Sequence, residues 1–113
     1  MPAPLSYRLP AGDSPESYAA QCAEALEAKI RELGPESVLA FILEPVGGLS
    51  TGAVVPPPAY VRAVRDICTR HRVYLVFDEI LCGAGRTGKF IAARHWPNAL
   101  PDVVVIAKGI GAG

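Results

Sequence analysis

The 113-residue chain has no surplus of either charge: 11 Lys and Arg stand against 11 Asp and Glu, a formal net charge of zero. Such a chain offers no long-range attraction to nucleic-acid phosphates or to an anionic membrane surface. It also lacks a cysteine framework. Cys22, Cys68 and Cys82 are odd in number and far apart, which fits neither paired disulfides nor a metal-ligand spacing. Reduced thiols in a cytoplasmic protein are the expectation. No apolar run reaches the roughly 18 residues that a membrane span needs. The opening MPAPLSYRLPAGDSP has no charged region followed by an apolar one, so it reads as no secretory signal. No internal repeat is present.

Half of the residues are hydrophobic and 19% are charged, which excludes a disordered chain. That is oily for a small domain with much surface to cover. The 11 Gly and 11 Pro are spread along the chain as punctuation between elements. An apolar, loop-punctuated chain of this length fits a piece of a larger body.

Residues 1–13 read as an extended lead-in, and 14–113 as an alternation of helices and strands. Ser14-Pro15 reads as a helix cap followed by a first-turn proline. Tyr18, Cys22, Ala25, Leu26, Ile30 and Leu33 then recur at helical spacing until Gly34-Pro35 ends the run. Val38 to Leu43 is an apolar run short enough for a buried strand, stopped by Glu44-Pro45. After the loop GGLSTG and three prolines, a second helix places Tyr60, Val61, Val64, Ile67, Cys68 and His71 inward, with Arg62, Arg65, Asp66 and Arg70 mostly solvated. Val73 to Phe77 and Val103 to Ile106 are two further strands, with a glycine loop and a short helical stretch over Phe90 to His95 between them.

Apolar strands alternating with helices predict an α/β fold: a mainly parallel sheet with helices on both faces, in three layers. Right-handed crossovers put all strand ends on one edge, where open sheets bind ligands. Glu44, Asp78 and Lys108 each stand just past a strand.

The glycine segment Gly83-Ala84-Gly85-Arg86-Thr87-Gly88-Lys89-Phe90 matches two phosphate-binding patterns, and both fail. As a P-loop it has Phe90 where a Ser or Thr would hold magnesium, and it trails the wrong strand. As a dinucleotide fingerprint it stands too far from its strand, and Lys108 falls where the ribose-binding acid belongs. An ordinary loop is the default. Asp78 with Lys108 is more informative. A lysine amine can bond a carbonyl cofactor, and an acid can keep a pyridine nitrogen protonated, the pairing used in pyridoxal-phosphate chemistry. A surface lysine and a capping aspartate remain the alternative at this point.

The runs AFILEPVGG, PPPAYVRAVRDICTRH, VYLVFDEILCGAGRTGKF, His95-Trp96 and PDVVVIAKGIGAG, in this order, resemble the class III aminotransferases, pyridoxal-phosphate enzymes of fold type I. The resemblance implies a partial large domain over residues 1–113. It implies Lys108 as the Schiff-base lysine, Asp78 as partner of the pyridine nitrogen, and Ile80 against one ring face. Glu44 and Leu81 become active-site neighbours, and Gly83, Gly85, Arg86 and Gly88 scaffold, with Arg86 anchoring the loop. The implied reaction is transamination from an amino donor to an oxo acid or aldehyde, with pyridoxal 5'-phosphate as cofactor and a homodimer as the full-length assembly.

Two departures stand out. Leu81 and Cys82 replace the Gln and Thr of many members, removing a hydrogen bond to the ring hydroxyl. Leu49, Ser50 and Thr51 occupy a loop where some members carry a switching glutamate. The family fold needs several hundred residues, so the 113 residues are expected to be truncated on both sides of the cofactor site and inactive alone. A catalytically dead binding or assembly module, and aminomutase or decarboxylase relatives, are the alternatives.

Overall fold

Helix α1 (Pro15–Leu33) starts for a local reason. The Ser14 hydroxyl accepts from the Ser17 amide at 3.1 Å, and the Ser17 hydroxyl accepts from the Ser14 amide at 2.9 Å. Two otherwise unpaired N–H groups are thereby satisfied. Gly34, at φ +83°, ends the helix. The computed structural model describes residues 1–111, so Ala112 and Gly113, which close the PDVVVIAKGIGAG run, lie outside it. The other elements are β1 (Ala40–Leu43), α2 (Pro58–His71), β2 (Tyr74–Asp78) and β3 (Val103–Val105). Short 3-10 turns occupy Pro35–Ser37, Ala92–His95 and Lys108–Gly111.

The strands form one parallel sheet in the order β1-β2-β3. Phe41 pairs with Leu75, Leu43 with Phe77, and Phe77 with Val104. This row faces the helices, since paired residues of a parallel sheet share a face. Leu75 and Phe77 are fully buried against Ile30 of α1 and Val61 and Val64 of α2. Trp96 meets Phe77 edge to face, with ring centroids 6.4 Å apart. Val76 and Asp78 look the other way, beside the exposed Ile42, Tyr74, Val103 and Val105. Both helices lie on one face, so the chain supplies the sheet and one helical layer of the three-layer architecture.

Several details differ from the sequence reading. Val38 and Val73 precede their strands because turns use their amides: Val38 donates to Pro35 O and Val73 to Cys68 O. The helical stretch over Phe90 to His95 contracts to the 3-10 turn at Ala92–His95, leaving Phe90 exposed. On α1, Ala19 and Ala23 take buried positions while Leu33 is exposed, because small residues let α1 seat closely on α2. Arg65 is mostly buried rather than mostly solvated. Its side chain is 16% exposed and bonds Asp102 Oδ2 at 2.8 Å, tying α2 to the start of β3.

Candidate active site

Parallel strands in the order β1-β2-β3 carry Glu44, Asp78 and Lys108 to one carboxyl edge, on three neighbouring strand ends. Neighbouring strands are about 4.8 Å apart, so these residues occupy adjacent lanes of the sheet edge.

Asp78 is half-buried, on the face of the sheet that the helices leave bare. Its Oδ1 accepts from the Ile80 amide at 3.0 Å, which fixes the turn out of β2. It has no ion pair among the described residues. Asp78 and Glu44 line one open cleft of about 320 Å³ with Ile42 and with Ala3, Pro4 and Leu5 of the lead-in. Sequence reasoning missed the lead-in, because an extended proline-rich segment carries no periodic signal.

Lys108 is exposed and starts its 3-10 turn at φ +66°, in the left-handed region that glycine occupies more easily. It lines a second cleft, of about 840 Å³, with Ile80, Leu81, Arg86 and Phe90. The structure therefore groups Glu44 with Asp78, and Ile80 and Leu81 with Lys108; the end of β2 divides the two clefts. The Glu44 carboxylate accepts from the Gly48 amide. Leu81 lies over the same glycine: a Cβ at position 48 would sit 2.5 Å from Leu81 Cδ1. The loops after β1 and β2 thus meet at Gly48.

The glycine loop opens no long helix; it closes on itself through Gly85 (φ +89°) and Gly88 (φ +84°). The Arg86 side chain, expected as its anchor, makes no hydrogen bond or ion pair among the described residues. Glu79 holds the loop instead. Its carboxylate is 1% exposed and accepts from the Ala92 and Ala93 amides at 2.5 and 2.7 Å. Sequence reasoning passed over Glu79, although the period-two alternation of a strand places it with Leu75 and Phe77.

Asp102 fixes the approach to Lys108. Its carboxylate accepts from Arg65 and, at 2.7 Å, from the Leu75 amide, while its own amide donates to Leu75 O at 2.8 Å. Burial pushes its pKa up, but the bonds from Arg65 and Leu75 outweigh this and leave it below the ordinary value. Burial pushes the Cys68 thiol up to about 11, against a smaller opposing pull from Arg65, and it also raises Cys82. Neither thiol is a ready nucleophile near neutral pH. No described helix is long and apolar enough to cross a membrane.

The family model for class-III aminotransferases matches residues 1–113. The chain is 36% identical over 111 residues to an uncharacterized aminotransferase, YodT, of Bacillus subtilis, covering 98% of this chain and 24% of that protein. It is 42% identical over 100 residues to the putrescine–pyruvate aminotransferase of Pseudomonas aeruginosa, covering 88% of this chain and 22% of that one. The omega transaminase from Pseudomonas jessenii, solved in complex with PMP, superposes with a TM-score of 0.86 at 36% identity, over 97% of this chain and 24% of its own. The chain spans about a quarter of the length of these relatives. The shared part is the parallel α/β sheet of the fold-type-I transaminases. A family match over every residue, with the same sheet at more than a third identity, makes this chain a member of the class-III aminotransferases.

Proposed function

We propose that the chain forms the cofactor-holding part of a pyridoxal-phosphate-dependent transaminase, which moves an amino group from an amino donor to an oxo acid or aldehyde. The observation that carries this reading is the placement of Asp78 and Lys108 on adjacent parallel strand ends, with Lys108 held at φ +66°.

The residues fit the cofactor. Asp78 is a half-buried carboxylate with no cationic partner among the described residues, and a protonated ring nitrogen supplies one. Lys108 is an amine with no acid paired to it among the described residues, free to bond a carbonyl carbon. When bound, pyridoxal phosphate takes up the electrons released as the substrate Cα loses its proton. Asp78 keeps the ring nitrogen charged. Ile80 offers an apolar surface to the ring. Lys108 holds the cofactor between turnovers, and its freed Nζ takes the proton from the substrate Cα. Glu44 and Leu81, joined at Gly48, border the approach, and Leu81 supplies no hydrogen bond there.

Borohydride reduction in the presence of pyridoxal phosphate, followed by peptide mapping, tests this. The label is expected on Lys108 and is lost in Lys108→Ala. A label fixed on any other lysine, such as Lys29 or Lys89, overturns the assignment.

A further inference from the structure

We propose that Glu79 is a positioning residue for the Lys108 cleft: its buried carboxylate holds the loop that forms one wall of that cleft in register with the strand that leads to the other. For the identity of the ligand alone, this rests on the pyridoxal-phosphate reading.

Glu79 makes four bonds that converge on the cleft. Its two carboxylate oxygens take the Ala92 and Ala93 amides at 2.5 and 2.7 Å, where the loop ends. Its carbonyl takes the Gly83 amide at 2.8 Å, where the loop begins. Its own amide donates to Val105 O at 2.8 Å, three residues before Lys108. One residue therefore clamps both ends of the segment that presents Arg86 and Phe90 to the cleft, and ties it to β3. The packing leaves no slack. A Cβ at Gly83 would lie 2.7 Å from Glu79 O and 3.0 Å from Glu79 Cβ, so only glycine fits.

Burying a carboxylate without a cation is costly, and the site accepts that cost for a geometric reason. Two parallel backbone N–H groups need two acceptors at one point. Glutamine offers one oxygen and turns an NH2 group toward the second amide, and aspartate is one methylene too short to reach from the strand.

The test uses the whole 113-residue chain and three readouts. In the wild type, the Ala92 and Ala93 amides are expected to exchange with solvent as slowly as the α2 core, and added pyridoxal phosphate is expected to slow them further. Binding and loop closure are reciprocal if they are coupled. In Glu79→Gln, tryptic cleavage after Arg86 and Lys89 is expected to rise about tenfold, the effect of one lost bond to a charged acceptor, with cleavage after Lys29 and Arg31 in α1 unchanged. The same variant is expected to bind pyridoxal phosphate about tenfold more weakly and to shift the absorbance of the bound cofactor, which a purely structural role would leave in place. Fast exchange at Ala92 and Ala93 overturns the proposal. So does exchange indifferent to cofactor that is bound, or a folded Glu79→Gln with wild-type cofactor affinity and absorbance. If Glu79→Gln does not fold, the two wild-type exchange measurements decide. A wild-type chain that takes up no pyridoxal phosphate refutes the reading that these residues hold the cofactor by themselves, and the clamp is then judged on amide protection and cleavage.

Discussion

Replacing Asp102 by alanine is expected to loosen β3, the three-residue strand that leads to Lys108. The Asp102 carboxylate accepts from Arg65 Nη1 at 2.8 Å and from the Leu75 amide at 2.7 Å. Alanine keeps only the backbone bond from residue 102 to Leu75 O. Leaving the amide of buried Leu75 without its acceptor costs about 1–2 kcal/mol. The ion pair adds less. Arg65 is 16% and Asp102 37% exposed, so water screens part of the attraction and leaves roughly 0.5–1 kcal/mol. The sum is about 2 kcal/mol, which lowers a urea midpoint by on the order of 1 M at the slope usual for small domains. Asp102→Asn keeps an oxygen for Leu75 and loses only the charge, so its loss is expected at about 0.5–1 kcal/mol, matched by Arg65→Met. Equal losses for the alanine and asparagine variants would refute the weight given to the Leu75 amide. A loss below about 0.5 kcal/mol for alanine would refute the account of β3 as a whole. The asparagine variant also separates by pH. The carboxyl lies below its ordinary value of 3.8, so its contribution is complete above that value and fades as the pH falls through the lower folded one. Wild type and Asp102→Asn should therefore converge in strong acid.

Two other perturbations follow from the geometry. Gly48→Ala puts a Cβ 2.5 Å from Leu81 Cδ1 and 3.1 Å from Glu44 Oε2, so it should destabilise the chain by about 1 kcal/mol in urea unfolding; adding Leu81→Ala should restore most of this, and a double variant as weak as the single one would point elsewhere. Glu27 joins α1 to α2, accepting from His71 at 2.8 Å, Arg70 at 2.5 Å and Arg31 at 3.0 Å. The bond from His71, then that from Arg70, hold its carboxyl down to about 2 against an ordinary 4.5. A lowered folded value stabilises above the unfolded one, so this helix contact should weaken as pH falls from 4.5 toward 2. Thermal midpoints across that range should fall less steeply in Glu27→Gln than in wild type, and parallel profiles would contradict the assignment.

Local chemistry was legible in the sequence where it is decided locally. Ser14-Pro15 and Gly34-Pro35 bound α1 because capping and helix stopping involve near neighbours. The apolar runs revealed the strands and the start of β3 at Val103, but not the first residues of β1 and β2, since the amides of Val38 and Val73 had already been claimed by turns. The edge constellation of Glu44, Asp78 and Lys108 followed from parallel pairing alone. Arg65 was misread because its partner, Asp102, is distant in sequence and comes into reach only when the sheet forms. The left-handed backbone at Lys108 and the approach of Ala3, Pro4 and Leu5 to the Asp78 cleft depend on tertiary packing and leave no trace in spacing. Glu79 is different. Strand alternation marked it as inward-facing, and the apolar neighbours of that row concealed how unusual a carboxylate there is.

Only Arg72 and Val73 separate α2 from β2, whereas the path from β2 to β3 runs through the whole of residues 79–102. Asp78 is thus mounted on a short arm, and Lys108 on a long one pinned at Glu79 and Asp102. Changes on the buried side of α2, far from any ligand, should travel to the aspartate with little loss. Changes of length between β2 and β3 reach the lysine only if they disturb those pinned points. A molecule gripped by both would be held by two different devices, a two-residue link behind the aspartate and a pair of carboxylate anchors behind the lysine.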